Sequence, residues 1–251
     1  MSLLPGRSAC RHVFGQIRRL LRAWYYAGWR YACPCCGGQF RTLLPFGEVV
    51  QRPNVCCPRC ESLERHRLIR LYLEQRTDIQ RAHWRVLHIA PEPIFYHWLK
   101  RMPNLDYIAG DLDPARADVQ LDVMNLRYPD SSFDGILCIH VLEHVPDDRR
   151  ALRELHRVLK PGGWALILSP IDASREKTDE DPSVIDPRQR QLRFGQHDHV
   201  RLYGRDYIER LSEAGFCVRK YAAAEVAGSE ELARRYVLKD EIIYASTKPE
   251  M

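Results

Sequence analysis

Lysine is absent before Lys100, and acids are scarce in the same stretch: residues 1–85 hold 15 Arg against 5 acids, a net of +10. The whole chain of 251 residues carries +5, so the remainder is acidic at −5. An arginine-only basic region prefers planar or anionic partners, because guanidinium pairs with phosphate or carboxylate through two hydrogen bonds and stacks on rings. Its other reading is a solvated face that offsets the acidic body. Long apolar runs are missing too. Nothing approaches the roughly 18 residues that span a bilayer, and Val13 to Trp29 is interrupted by Arg18, Arg19 and Arg22, which excludes a secretion-signal core as well. A cytoplasmic protein is expected. Evenly spread cysteines are also lacking: six of the nine fall between Cys33 and Cys60, which argues against a disulfide scaffold and for metal.

The remaining composition, 45% hydrophobic and 28% charged, suits a soluble globular chain with room for one ordinary domain and a small accessory module. Three parts are expected: residues 1–30 as a basic amphipathic helix, 31–83 as a cysteine module with a connecting helix, and 84–251 as the main domain. In the first, Val13, Ile17, Leu20, Leu21 and Trp24 recur at helical spacing over 11–29, with the arginines off the stripe. Such a helix either packs its stripe on its own protein, the commoner case, or lies on an anionic membrane surface as a peripheral contact.

Cys33-Pro34-Cys35-Cys36-Gly37 and Cys57-Pro58-Arg59-Cys60 form two Cys-x-x-Cys turns 20 residues apart. Each turn offers two thiolates to one ion, and the pair completes a tetrahedral structural Zn2+ site. Cys35 and Cys56 leave the choice open by one position at each turn. Cys33, Cys36, Cys57 and Cys60 are the favoured metal ligands because both pairs then begin Cys-Pro.

From Trp84 onward, short apolar runs at 85–89, 107–109, 119–121, 135–140, 165–169, 216–221 and 242–246 alternate with helical stretches at 94–100, 148–159, 204–214 and 230–236. That alternation predicts an α/β domain with a mostly parallel sheet. Between Asp111 and Asp118 the chain is too short for a crossover helix, so a loop or a vestigial third strand is expected. Gly162 and Gly163 suit a stop after the helix ending at Leu159. The acidic segment 172–193 lacks clear periodicity and suits a flexible lid or substrate loop, or a solvated insertion.

Residues 84–247 resemble the class I methyltransferases that use S-adenosylmethionine, most closely over Ser131 to Gly163. Tyr107-Ile108-Ala109-Gly110-Asp111 is similar to the family's second strand and its terminal acid, Asp122 to the acid after strand three, and Phe133 to His144 to strand four and its exit. Arg157-Val158-Leu159-Lys160-Pro161-Gly162-Gly163 is similar to the turn before strand five. The resemblance implies a Rossmann-like sheet of order 3-2-1-4-5-7-6, S-adenosylmethionine as cofactor, and a cofactor site at Ala90, Glu92, Asp111, Leu112, Asp122, Val123 and His140. A carboxylate at 111 suits a vicinal diol because its two oxygens both accept. One motif departs from the pattern. After strand one the family places an acid and several glycines, whereas here His88 takes the acid's position and Ala90-Pro91-Glu92 the glycines', and Pro91 has no N–H. Glu92 either pairs with the cofactor's ammonium group or caps the next helix.

Where the nucleophile carries a proton a base is needed, and His140, His144, His197 and His199 are the candidates, with His140, His144 and His199 foremost. The acceptor is a small molecule, a glycan or RNA; the arginine-rich N-terminus suits the last, but no base-stacking motif sets it above the others. A non-catalytic binding or scaffold protein on a degenerate methyltransferase fold is the alternative.

Overall fold

A computed structural model describes residues 7–47, 51–238 and 241–250, with side chains from Gly15 onward, so Val13 and Phe14 of the amphipathic stripe lie outside the described side chains. The chain divides into two compact units. One runs to Asp78 and resumes over Ala222–Ile242; the other comprises Ile79–Tyr221 and Ile243 onward. Residues 222–242 thus belong with the N-terminal unit, although the sequence pattern had assigned them to a continuous 84–251 domain.

In the N-terminal unit, α1 (Arg7–Tyr25) leads into β1 (Ala27–Ala32), paired antiparallel with β2 (Gln39–Phe40). The helix expected over 11–29 therefore stops four residues early. The Arg41 amide bonds the Tyr26 carbonyl at 2.9 Å, and a Cβ on Gly28 would stand 2.7 Å from the Arg41 Cβ. Cross-strand pairing claims these residues before the helix can. β3 (Leu44–Phe46) pairs with β4 (Arg52–Cys56), followed by α2 (Glu64–Arg76), while α7 (Ala223–Ala227) and α8 (Glu230–Arg235) pack back onto this unit.

Arg67 of α2 joins the pieces. It is fully buried, and its guanidinium donates to the carbonyls of Val55 (2.9 Å), Ser62 (2.8 Å), Tyr236 (2.6 Å) and Val237 (3.1 Å). Two of these carbonyls lie 169 and 170 residues away in sequence. Five fixed donors in a plane suit this multi-carbonyl role, and a burial this deep is tolerable only because those donors are satisfied.

The second unit is a seven-stranded sheet in the order β12-β13-β9-β8-β5-β6-β7, with β5 (Trp84–Ile89), β6 (Leu105–Asp111), β7 (Val119–Gln120), β8 (Phe133–Ile139), β9 (Leu159–Leu168), β12 (Cys217–Ala222) and β13 (Ile242–Thr247). The strands β5 to β9 are parallel, and β13 runs antiparallel to β9. The central strands are buried on both faces, as near-continuous apolar runs must be: Val86, Leu87, Ile136, Leu137 and Cys138 have no exposed surface. Helices α3 (Pro93–Leu99), α4 (Asp148–Val158) and α6 (Tyr207–Glu213) complete the crossovers. Asp147 caps α4 by accepting from the Arg150 amide at 2.9 Å.

One local expectation is met and one needs correction. The two-residue β7 follows β6 without a helix, so both readings of that short connection apply. The Lys160 to Gly163 turn is not a loop between helix and strand: β9 starts directly at Leu159, and Gly162, at φ 73, forms a bulge held by its amide to the Lys248 carbonyl (2.9 Å). The residue that follows β13 completes the turn, which local sequence does not disclose.

The acidic segment is likewise more built than its sequence suggests. It contains β10 (Asp179–Glu180), paired antiparallel with β11 (Arg201–Leu202), and α5 (Pro187–Phe194). Glu180 accepts from Arg201 (3.0 Å) and Arg210 (2.8 Å), and Arg193 reaches Asp179 (2.8 Å) and Asp181 (2.7 Å). Arg210 also holds the buried Asp148 at 2.9 Å. Arginines distant in sequence thus pin an insertion whose composition suggested a free lid.

Candidate cofactor and metal sites

A cavity of about 500 Å3 opens at the C-terminal ends of β5, β6 and β8, within the size range of small-molecule sites. In a parallel α/β sheet this is where ligands bind. Its wall includes Ala90, Glu92, Asp111, Leu112, Asp122, Val123 and His140, together with His144. His199 is not part of the wall. It lies buried behind it, its ring edge-on to that of His144 at 4.8 Å. His197 is solvent-exposed.

The two acids are placed by their own turns. Asp111 ends β6 and accepts the Asp113 amide on Oδ1 at 2.9 Å; Asp122 accepts the Met124 amide on Oδ1 at 2.8 Å. Among the described residues neither Oδ2 receives a hydrogen bond, so each carboxylate keeps an acceptor for a ligand donor. Close approach of β6 to the 119–121 strand end requires Gly110. A Cβ there would stand 1.8 Å from Leu121 Cδ2.

The missing glycine loop has a structural counterpart. Ala90, at the end of β5, adopts φ 46, and His140, at the end of β8, φ 55. Both are in the left-handed region, which costs a residue with a Cβ of order 1 kcal/mol and tends to persist at functional sites. Short amide bonds hold them there: Ala90 to the Gly110 carbonyl and His140 to the Leu168 carbonyl, both 2.7 Å. The chain thus makes at Ala90 the turn that a glycine would make without strain. The Glu92 side chain makes no capping bond to α3 and faces the cavity, so of its two readings the cap is not realised.

His88, which stands where the family has an acid, faces away from this cavity. It is fully buried between Phe95 and Tyr107, with Nδ1 2.8 Å from the Tyr107 hydroxyl. Burial pushes its pKa down to about 4, with Glu92 opposing, so it is neutral at physiological pH. It is a core residue of the β5–α3 layer.

On the opposite wall, His140 Nδ1 lies 3.0 Å from Glu143 Oε1, and Ser169 donates to Glu143 Oε2 at 2.9 Å. Burial alone would raise the Glu143 carboxyl, but the bonds from His140 and Ser169 outweigh it and hold it below its ordinary range. Glu143 is therefore an anionic anchor for the His140 ring. His144 Nδ1 is 3.3 Å from Asp198, leaving Nε2 as the nitrogen without this partner. His199 Nδ1 meets the Phe194 carbonyl at 3.1 Å, and burial lowers its pKa. Gln196 and Asp198, from the loop after α5, and Arg116, from the loop after β6, also line the cavity. Sequence reasoning did not single them out, because only the packing of the insertion brings 196 and 198 to the β8 exit.

In the N-terminal unit, Cys33, Cys36, Cys57 and Cys60 gather with their sulfurs all within 4.8 Å of one another. Cys33 and Cys60 are 3.6 Å apart, Cys36 and Cys57 3.7 Å. Tetrahedral zinc with bonds of about 2.3 Å needs sulfur separations of about 3.8 Å, so the donor set fits the ion. Two matching turns produce the cluster. Gly37, at φ 69, donates to the Cys33 carbonyl, and Glu61, at φ 62, to the Cys57 carbonyl. Ser62 Oγ lies 3.1 Å from Cys33 Sγ and 3.3 Å from Cys60 Sγ, an outer-shell contact to two sulfurs. Cys35 and Cys56 stand outside the cluster, near the backbone carbonyls of His66 and Cys57.

Sheet topology, the cavity at the strand ends and the paired acids define a Rossmann-like methyltransferase-type domain. Residues 95–167 match the family model described as a methyltransferase domain. Over those residues the chain is thus similar to methyltransferase domains. It is 51% identical over 55 residues to 2-phytyl-1,4-naphtoquinone methyltransferase of Nostoc punctiforme, covering 22% of this chain and 24% of that one. It is 35% identical over 123 residues to ajmaline N-methyltransferase of Rauvolfia serpentina, covering 49% and 38%. The chain therefore spans between about a quarter and two fifths of the length of these two relatives. Among solved structures, it overlays an S-adenosylmethionine-dependent methyltransferase from Mesorhizobium loti with a TM-score of 0.45 and 18% identity, covering 67% of this chain and 93% of that one.

Proposed function

We propose that the chain transfers a methyl group from S-adenosylmethionine to a polar acceptor, a small molecule, glycan or RNA, and that its four-cysteine cluster holds a structural zinc ion. The observation that carries the first part is the cavity at the ends of β5, β6 and β8, where two backbone-anchored carboxylates, Asp111 and Asp122, stand beside the strained Ala90 turn. In this reading Asp111 accepts from the ribose hydroxyls, Asp122 faces the adenine amino group, Leu112 and Val123 cover the base, and Glu92 meets the ammonium group. The cofactor supplies an electrophilic methyl on a sulfonium centre. The protein's share is alignment and exclusion of water.

The acceptor side is polar, with His140, His144, Gln196 and Asp198 on the wall. That favours a hydroxyl- or amine-bearing acceptor, and His144, oriented by Asp198, is the group placed to take its proton through Nε2. His140 is fixed by Glu143 and serves as a positioning group, and His199 supports the His144 ring. The cysteine cluster fits a reducing compartment such as the cytoplasm.

Calorimetry with S-adenosylmethionine tests the reading. Wild-type protein is expected to bind, and Asp111→Ala to bind at least tenfold more weakly, the loss of charge-assisted hydrogen bonds worth about 1.5–3 kcal/mol. No binding by the wild type would sink the proposal. Pro91, which cannot donate where the family uses backbone N–H groups, favours one second reading: a binding or scaffold protein that holds cofactor or partner without transfer. Incubation with labelled S-adenosylmethionine and fractionated cell extract separates the two, since label entering RNA, glycan or a small molecule requires catalysis.

A further inference from the structure

Helix α1 has an ordinary amphipathic sequence, but its apolar stripe is not the side that it lays on the protein. At about 100° per residue, Leu20, Leu21 and Trp24 fall within about 60° of Ile17, whereas Arg18, Arg19 and Arg22 lie about 100° to 200° away. An amphipathic helix on a globular protein turns its apolar stripe inward. Here another side makes the contacts: half-buried Arg22 and the still exposed Arg19 each bond Glu61 at 2.8 Å, Arg22 Nε bonds the Pro58 carbonyl at 2.6 Å, and Ala23 and Tyr26 pack on the core of the cysteine module. The stripe is left facing solvent, with Ile17 47%, Leu20 59%, Leu21 63% and Trp24 79% exposed, and Tyr25 and Trp29 continue it at 61% and 82%. Contiguous apolar surface of this kind marks an interaction site.

The surrounding charge specifies the partner. Residues 1–47 contain seven arginines and no acid. Arg18, Arg30 and Arg41 are exposed beside the stripe, and the Arg41 guanidinium stacks on Tyr25 at 4.8 Å. A second copy of the chain would bring two such acid-free segments together and repel. Nucleic acid would match the arginines but not a row of Ile and Leu. An anionic lipid surface matches both: leucine and isoleucine enter the acyl boundary, tryptophan and tyrosine settle at the headgroup level, and the flanking arginines meet the phosphates.

We propose that the outward face of α1, continued by Tyr25 and Trp29, seats the protein in the plane of an anionic membrane as a peripheral protein. This goes beyond the methyl-transfer reading and stands independently of it. The test is co-flotation of the full chain with vesicles of phosphatidylcholine alone or with about a third phosphatidylglycerol. Anionic vesicles are expected to bind at least tenfold more protein, and the double variant L21E/W24E to lose at least tenfold of that binding. Because both side chains are more than 60% exposed, the variant should keep its circular dichroism spectrum and its affinity for S-adenosylmethionine, so a failure here is distinguishable from failure of the transfer reading. Equal binding to both vesicle types, or unchanged binding by the variant, overturns the proposal. So does salt-sensitive RNA binding, or a dimer dispersed by L21E/W24E, in the absence of vesicle binding.

Discussion

His88 offers a direct measurement of how this protein uses the position where relatives place an acid. The imidazole is fully buried, and its folded pKa of about 4 lies below the ordinary 6.5. Between these values the unfolded chain takes up a proton that the folded chain refuses. The contribution of neutral His88 is therefore complete above pH 6.5 and is lost progressively as the pH falls toward 4. The full shift corresponds to about 3 kcal/mol, and at pH 5 the loss relative to neutral pH is about 2 kcal/mol. His88→Phe removes the titration. It also strands the Tyr107 hydroxyl, a cost of about 1 kcal/mol that does not vary with pH in this range. Urea unfolding followed by the fluorescence of Trp84 and Trp164, which pack at 5.8 Å in the same unit, should give wild-type and variant stabilities whose difference changes by about 2 kcal/mol between pH 7 and pH 5. Other acid-sensitive groups, the cysteines included, are common to both proteins and cancel in the difference. Parallel stability curves would refute the assignment of His88 as a buried neutral core group.

The remaining tests concern the N-terminal unit. Arg67→Lys keeps the charge but loses the planar fork that reaches four carbonyls; a destabilisation of about 2–4 kcal/mol is expected by denaturant titration, and a change under 1 kcal/mol would contradict the clamp. Elemental analysis should find one zinc per chain, and Cys60→Ser should release it and expose the unit to proteolysis. Metal-free protein with intact structure would overturn the zinc proposal, whereas Cys35→Ser, outside the cluster, should keep its zinc.

Much of the architecture was legible because it follows from local pattern. Continuous apolar runs announced β5, β8 and β9, and Asp111 and Asp122 were singled out by resemblance to the methyltransferase strand-end acids; the structure places both on the cavity wall. The cysteines declared themselves by spacing. Other features were not legible because their causes are distant. Gly110 looks like any strand glycine until Leu121 is seen against it. Arg67 looks like one more surface arginine of a basic helix, and only carbonyls some 170 residues away make it a buried clamp. The segment 172–193 lacks periodicity because its order comes from ion pairs rather than a packed face, with Arg193 inside it and Arg201 and Arg210 beyond it.

What the sequence determined by itself was therefore the strands of the main sheet, most of its helices and the thiolate spacing, since these depend on backbone sterics, burial periodicity and short-range ligand geometry. Three matters were decided only in the tertiary structure: that residues 222–242 return to the N-terminal unit, that Ala90 supplies a left-handed turn without glycine, and that α1 wears its apolar face outward. Each depends on partners remote in the chain, the carbonyls met by Arg67, the carbonyl of Gly110 and the carboxylate of Glu61. Amphipathicity states that a helix has two faces, but contacts remote in the chain, those of Glu61 and the Pro58 carbonyl with Arg22 among them, determine which is left for another surface.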